Sequence, residues 1–161
     1  DVAVGPEMKS TGEVLGIDQD LDKAIYKGFL GAGTKIPTEG GVFVSLKDHD
    51  KTAESAEVLK TYANLGFKLY ASEGTAAFLG EHGVPAQEID YADVKPLIGE
   101  EIQIVINTPK TINKVGADTF PIRRAAIERG LAVHTCMDTA RIFAIAIRLK
   151  QKGTELSYNV L

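Results

Sequence analysis

From Val42 onward, short apolar runs alternate with segments of helical periodicity, and no other feature constrains the fold of this chain as strongly. Val42 to Leu46, Phe67 to Ala71, Ala86 to Ile89, Ile102 to Ile106 and Leu131 to Thr135 read as strands. Between them, Thr52 to Leu65, Thr75 to His82 and Pro121 to Arg129 read as helices, with Gly66, Gly83 and Gly130 standing where helices end. Asp138 to Lys152 reads as a closing helix. Ala56, Leu59, Tyr62 and Ala63 share the inward face of the first helix, and Ile142, Ile145, Ala146 and Leu149 that of the last. Strands separated by helices imply a parallel sheet with right-handed crossovers and helices on both faces. The predicted fold is α/β, a five-stranded parallel sheet in a Rossmann-type three-layer arrangement. The tail, Ser157 to Leu161, is read as an added edge strand.

Upstream of this pattern, Leu21, Ile25 and Phe29 predict a helix from about Leu21 to Phe29, with Asp18 or Asp20 as N-cap. Asp22 in the first turn and Lys27 in the last suit the helix dipole. The run from Gly31 to Gly41 breaks all periodicity and reads as a linker. Residues 1–40 are therefore read as the end of one module plus a linker, and 41–161 as the whole of another. A chain of 161 residues, 44% of them hydrophobic, can bury one sizeable core, which fits one domain with an appendage. No internal repeat or low-complexity tract interrupts it.

A net charge of −4 disfavours polyanion binding, so nucleic acid is not an expected partner and any anion site must be local. No apolar run approaches the ~20 residues of a bilayer span, and the N-terminal residues lack the pattern of a signal peptide, so a cytoplasmic setting without a membrane partner is expected. The single cysteine, Cys136, excludes an intrachain disulfide and a Cys-rich zinc site.

In open α/β sheets ligands collect beyond the carboxyl ends of the strands. Three polar clusters fall there: Lys47 to Lys51, Ser72 to Thr75, and Asn107 to Lys114. The second supplies two hydroxyls, a flexible glycine (Gly74) and the amides of a helix start, a suitable anion site to which Lys51 adds a full charge. Asn107 carries both donor and acceptor for a base or ribose edge, with Lys110 and Lys114 beside it. Taken singly, Ser72 reads as an N-cap, Lys51 as a solvated lysine and Asn107 as a turn residue. Their shared position at three strand ends carries the functional reading. Catalytic readings are weaker: Asp48, His49 and Asp50 read as a solvated turn, His82 as a helix end, and His134 as a packed histidine. Cys136 reads as a small buried residue near a helix start, and at least one of Arg123 and Arg124 as a surface charge.

GPEMKSTGEV from Gly5, followed by a helix, resembles the end of the second synthetase half in the carbamoyl-phosphate synthetase large-subunit family. The chain from Val42 resembles that family's C-terminal allosteric domain, a methylglyoxal-synthase-like fold, through VSLKDHDK, GFKLYASEGTAAFLGEHGV, VINT and IRRAAIERGLAV in the family's order. The resemblance implies a regulatory site in which Lys51, Ser72 and Thr75, with Gly74 between the hydroxyls, hold an effector phosphate, and Asn107 and Thr108 follow the fourth strand. Lys95 is its candidate second phosphate lysine. Pro109 and Lys110 stand where many relatives carry a Gly-rich turn. Thr135, Cys136 and Met137 replace the tyrosine and threonine that contact ornithine in enteric-type enzymes.

The resemblance further implies a parent ligase making carbamoyl phosphate from bicarbonate, glutamine-derived ammonia and two ATP, for pyrimidine and arginine biosynthesis. That parent uses ATP and Mg2+, with K+ as a further candidate. Its partners are the remaining large-subunit domains, a small glutaminase subunit and further copies in an oligomer. For this chain itself no catalysis and no cofactor are expected. The expected effector is UMP, then IMP, with N-acetylglutamate as a lesser candidate through its carboxylates. Three other readings stand beside this one, of which an IMP cyclohydrolase domain begins similarly but continues with a basic HPK segment absent here. A methylglyoxal synthase, a lyase of the same fold, would need a GGDQ-like segment carrying its catalytic aspartate and a downstream histidine, and neither appears between Ile89 and Val115. A purely structural module would leave the three polar clusters without a ligand.

Overall fold

The structure, a computed structural model, describes residues 19–109 and 119–160, with side chains over 21–109 and 119–153. The GPEMKSTGEV phrase, Lys110 and Lys114 lie outside the described residues. In chain order the elements are α1 (Gln19–Gly31), β1 (Gly41–Ser45), α2 (Ala53–Asn64), β2 (Lys68–Ala71), α3 (Glu73–Glu81), β3 (Gln87–Glu88), α4 (Tyr91–Val94), β4 (Ile102–Asn107), α5 (Phe120–Glu128), β5 (Ala132–His134) and α6 (Met137–Val160). Short 3-10 turns cover Asp48–Asp50 and Lys95–Leu97.

The five strands form one sheet in the order β3-β2-β1-β4-β5, every pairing parallel. This is the expected architecture. Its origin lies in β1, where all five residues are buried because both faces of the sheet are covered. Val42 and Val44 face one core with Leu59, Tyr62, Phe78, Phe143 and Ile147, contributed by α2, α3 and α6. Phe43 points the other way, to Val94, Ile98, Ile122 and Ala126 beside α4 and α5. The alternating direction of strand side chains thus builds two cores from one apolar run. Gly41 begins β1 because nothing larger fits: a Cβ there would lie 2.7 Å from the Glu101 carbonyl oxygen and 2.8 Å from the Tyr70 ring. At that point the β1–β4 register slips, with Gly41 opposite Ile102 but Val42 opposite Ile104.

α6 is buried more widely than one inward stripe would need. Ala140, Phe143, Ala146 and Ile147 face the sheet, while Ile142 and Ile145 meet Leu21, Ile25 and Phe29 of α1. Phe29 and Phe143 contact edge to face, with ring centroids 5.1 Å apart. Arg148 lies 3.6 Å from Asp22 on the same seam. The segment between α1 and β1 is also tied down: Ile36 is buried in the main core, and its carbonyl accepts a hydrogen bond from Lys150 Nζ at 2.6 Å.

Three expectations change. The edge strand read at the C-terminal tail is not formed, because α6 continues to Val160. Gly153 lies within it, yet one glycine inside a helix costs only about 1 kcal/mol against alanine, too little to end a cooperative structure. The third strand shrinks to Gln87–Glu88, since it pairs only with Tyr70 and Ala71 at the sheet edge. α1 runs to Gly31, so Lys27 precedes its last turn.

Candidate functional site

Strand order reverses direction between β1 and β4, because the chain builds outward to β3 on one side and then crosses to β4 and β5 on the other. Loops leaving the carboxyl ends of β1 and β4 must therefore part, and a crevice opens between them. A cavity of about 220 Å³ lies there, lined by Ser45, Leu46, Lys47 and Lys51 after β1, Ser72 to Thr75 after β2, Tyr91, and Asn107, Thr108 and Thr119 around the end of β4. Residues from each of the three polar clusters meet there, the third through Asn107 and Thr108.

The β2 side forms the cationic end. Ser72 occupies the N-cap position of α3 but makes no capping hydrogen bond. Its Oγ instead lies 3.0 Å from Ser45 Oγ and 3.1 Å from Thr75 Oγ1. Thr75 is buried, and its Oγ1 accepts a hydrogen bond from the Leu46 amide at 3.0 Å. The first-turn residues Glu73, Gly74 and Thr75 line the cavity, where amides without intrahelical acceptors and the positive end of the helix dipole favour an anion. Lys51 brings its ammonium to the same place: a Cβ on Gly74 would stand 3.0 Å from Lys51 Nζ. The ammonium also donates to Asp48 Oδ1 at 2.8 Å, a pair whose carboxylate is 88% exposed and well screened by water.

The β4 side is built differently. Asn107 is buried, and both ends of its amide are engaged. Nδ2 donates to the Ser45 carbonyl at 2.9 Å, while Oδ1 accepts from Thr119 Oγ1 and from the Arg123 guanidinium. One Nδ2 proton and Oδ1 thereby clamp β4 to β1 and to the start of α5, while the residue still lines the cavity. Thr108 Oγ1 accepts from the Lys47 amide at 2.9 Å and keeps its own proton for another acceptor. Arg124, by contrast, pairs with Glu128 on the surface.

Of the residues singled out in the sequence, Lys51, Ser72, Gly74, Thr75, Asn107 and Thr108 line this cavity. Lys95 does not; it starts the exposed 3-10 turn beyond α4. Lys110 lies outside the described residues. Sequence reasoning missed Ser45, Thr119 and Tyr91. The strand-end rule could have supplied Ser45, the last residue of β1. Tyr91 follows the poorly bounded third strand, and its approach to Ser45, 46 residues earlier, has no local signal.

The packed reading of His134 holds. It is buried at the end of β5 against the Phe143 ring, centroids 4.7 Å apart, and its Nε2 has no hydrogen-bond partner among the described residues. Burial lowers its pKa to about 4, so the ring is neutral near pH 7. Cys136 is corrected: it is exposed just before α6, its thiol 3.5 Å from Thr139 Oγ1, because β5 ends and the chain turns outward there. Among the described residues no cluster of metal-ligating side chains is present, and no helix is long and apolar enough to cross a membrane.

The family model for the MGS-like domain matches residues 54–135, about half of the chain and the stretch that contributes most of this cavity. The chain belongs to the MGS-like domain family. Over its full length this MGS-like domain chain is 44% identical to the carbamoyl phosphate synthase large chain of Clostridium acetobutylicum, covering 15% of that protein. It is 41% identical over 98% of its length to the large chain of Clostridium botulinum, again covering 15% of it. It is also 39% identical to the carbamoyl phosphate synthase large chain, C-terminal section, of Aquifex aeolicus, covering 32% of that protein. The MGS-like chain thus spans a minor part of each of these relatives.

Proposed function

We propose that this MGS-like domain is the effector-binding regulatory unit of a carbamoyl phosphate synthase large chain. In this reading it binds the phosphate of a nucleotide such as UMP or IMP at the α3 end of the cavity. The observation that carries the reading is the placement of the Lys51 ammonium directly over Gly74, at the first turn of α3, beside the hydroxyls of Ser72 and Thr75. A charged donor, two hydroxyls and first-turn amides fit a tetrahedral anion. Thr108 and Thr119 line the same cavity and offer further hydroxyls for the rest of a small nucleotide.

The parent protein, in the same reading, makes carbamoyl phosphate from bicarbonate, glutamine-derived ammonia and ATP. Regulation then follows linkage: the effector biases the synthetase only by its differential affinity for two states, typically ~1–3 kcal/mol. The stretch from Asp1 to Leu30 forms part of the mechanical connection to the synthetase domain in this reading, which the packing of α1 on α6 supports. Calorimetric titration with UMP, IMP, UTP and N-acetylglutamate, repeated on Lys51→Ala, tests the site. Saturable nucleotide binding that the variant loses is the expected result. Equal binding by both proteins would place the ligand elsewhere.

A further inference from the structure

Four side-chain hydroxyls of the cavity stand in one hydrogen-bonded row. Tyr91 OH lies 2.9 Å from Ser45 Oγ, Ser45 Oγ 3.0 Å from Ser72 Oγ, and Ser72 Oγ 3.1 Å from Thr75 Oγ1. The row crosses the end of the sheet, from α4 over the last residue of β1 to the first turn of α3. Each hydroxyl carries one proton and can accept at two lone pairs. Four protons serve three links, so one proton is always left over, and no described residue accepts it. Thr75 Oγ1 already receives the Leu46 amide, so its acceptor capacity is partly used.

An anion at Ser72 and Thr75 resolves this surplus. If both donate to it, the Ser72–Thr75 link opens, the bond in which Ser72 Oγ donates to Ser45 Oγ reverses so that Ser45 donates to Ser72, and Tyr91 donates to Ser45. All four protons are then used, every O–H dipole points toward the anion, and each bond polarises the next. We propose that Tyr91 is a positioning residue of the anion site, acting through Ser45, and that its hydroxyl sets the donor direction of the row. The inference rests on the effector-site reading above and extends it to a residue outside the three polar clusters. The row also favours oxygen ligands that only accept, such as phosphate or carboxylate, over neutral hydroxyl-bearing ligands.

Tyr91→Phe keeps the ring, including its edge contact with Phe43, whose centroid is 6.2 Å away, and removes only the hydroxyl. The experiment is calorimetric titration of the chain with UMP and with inorganic phosphate in four proteins: the unmodified chain, Tyr91→Phe, Ser45→Ala, and the double variant. Lys51→Ala serves as the control for the site. The expected result is about three- to tenfold weaker binding of both ligands by Tyr91→Phe, the worth of one hydrogen bond, and no further loss when Tyr91→Phe is added to Ser45→Ala. A residue serving only general packing would weaken binding equally in both backgrounds, and that result overturns the relay. Unchanged affinity in Tyr91→Phe, with binding abolished in Lys51→Ala, overturns this inference and leaves the site reading intact. Absence of saturable binding by the unmodified chain overturns both.

Discussion

The Lys51 ammonium lies so close over Gly74 that a Cβ on that glycine would stand 3.0 Å from Nζ. Gly74 sits in the first turn of α3 without a left-handed backbone, so alanine is conformationally acceptable and only the ammonium must move. Gly74→Ala is therefore expected to stabilise the fold by about 0.4–1 kcal/mol through the unfolded chain, while weakening phosphate binding severalfold. Chemical denaturation paired with UMP titration reads both effects. A variant that binds as tightly as the unmodified chain would show that Lys51 does not approach the ligand over this glycine.

Lys51 is held by Asp48 at 2.8 Å before any ligand arrives. Asp48→Asn removes that competitor and is expected to tighten phosphate binding about two- to fivefold at low ionic strength. The gain should shrink in high salt, since an exposed ion pair is weak and screened. Affinity that falls in Asp48→Asn would mean the carboxylate positions the ammonium rather than competing for it.

His134 gives the fold a pH dependence whose sign follows from burial. Its pKa is about 4 in the folded protein against an ordinary value of 6.5, so between those values the unfolded chain binds the extra proton. Stability is untouched well above pH 6.5, declines as the pH falls through 6.5, and stops declining on this account below about pH 4. The gap corresponds to about 3 kcal/mol at most. Urea unfolding at pH 7.5 and pH 5 should show a smaller drop for His134→Leu than for the unmodified chain. Identical drops would assign the pH dependence to other groups.

Tyr62 is fully buried and donates its phenol proton to the Ala140 carbonyl at 2.6 Å, joining α2 to α6. Burial raises its pKa, so it stays protonated over any working pH. Tyr62→Phe keeps the ring volume and loses one net hydrogen bond, an expected cost of about 1 kcal/mol with the ligand site unchanged. Denaturant midpoints and UMP affinity measured together check it, and a large loss of affinity would reveal coupling between this core contact and the cavity.

Legibility in the sequence followed the range of the physical cause. β1 and β4 were clear because buried parallel strands are continuously apolar, and α2 because Ala56, Leu59 and Tyr62 recur at the helical period. The extent of α6 was not clear, since its end depends on propagation past Gly153 rather than on any local signal. Its double-sided burial was equally hidden, because α1 packs on it from more than 100 residues away.

The α/β alternation, the three polar clusters and their position at strand ends are already written in the order of residues, because strand and helix periods and turn chemistry are local properties. Which side-chain groups meet in the cavity depends on how the strands assemble. That assembly engaged one amide proton of Asn107 with Ser45 and its Oδ1 with Thr119 and Arg123, left Lys95 outside the cavity, and brought Tyr91 into line with Ser45, Ser72 and Thr75. Those outcomes depend on hydrogen bonds between residues far apart in the chain, whose partners are fixed only when parallel strands come into register and their ends meet.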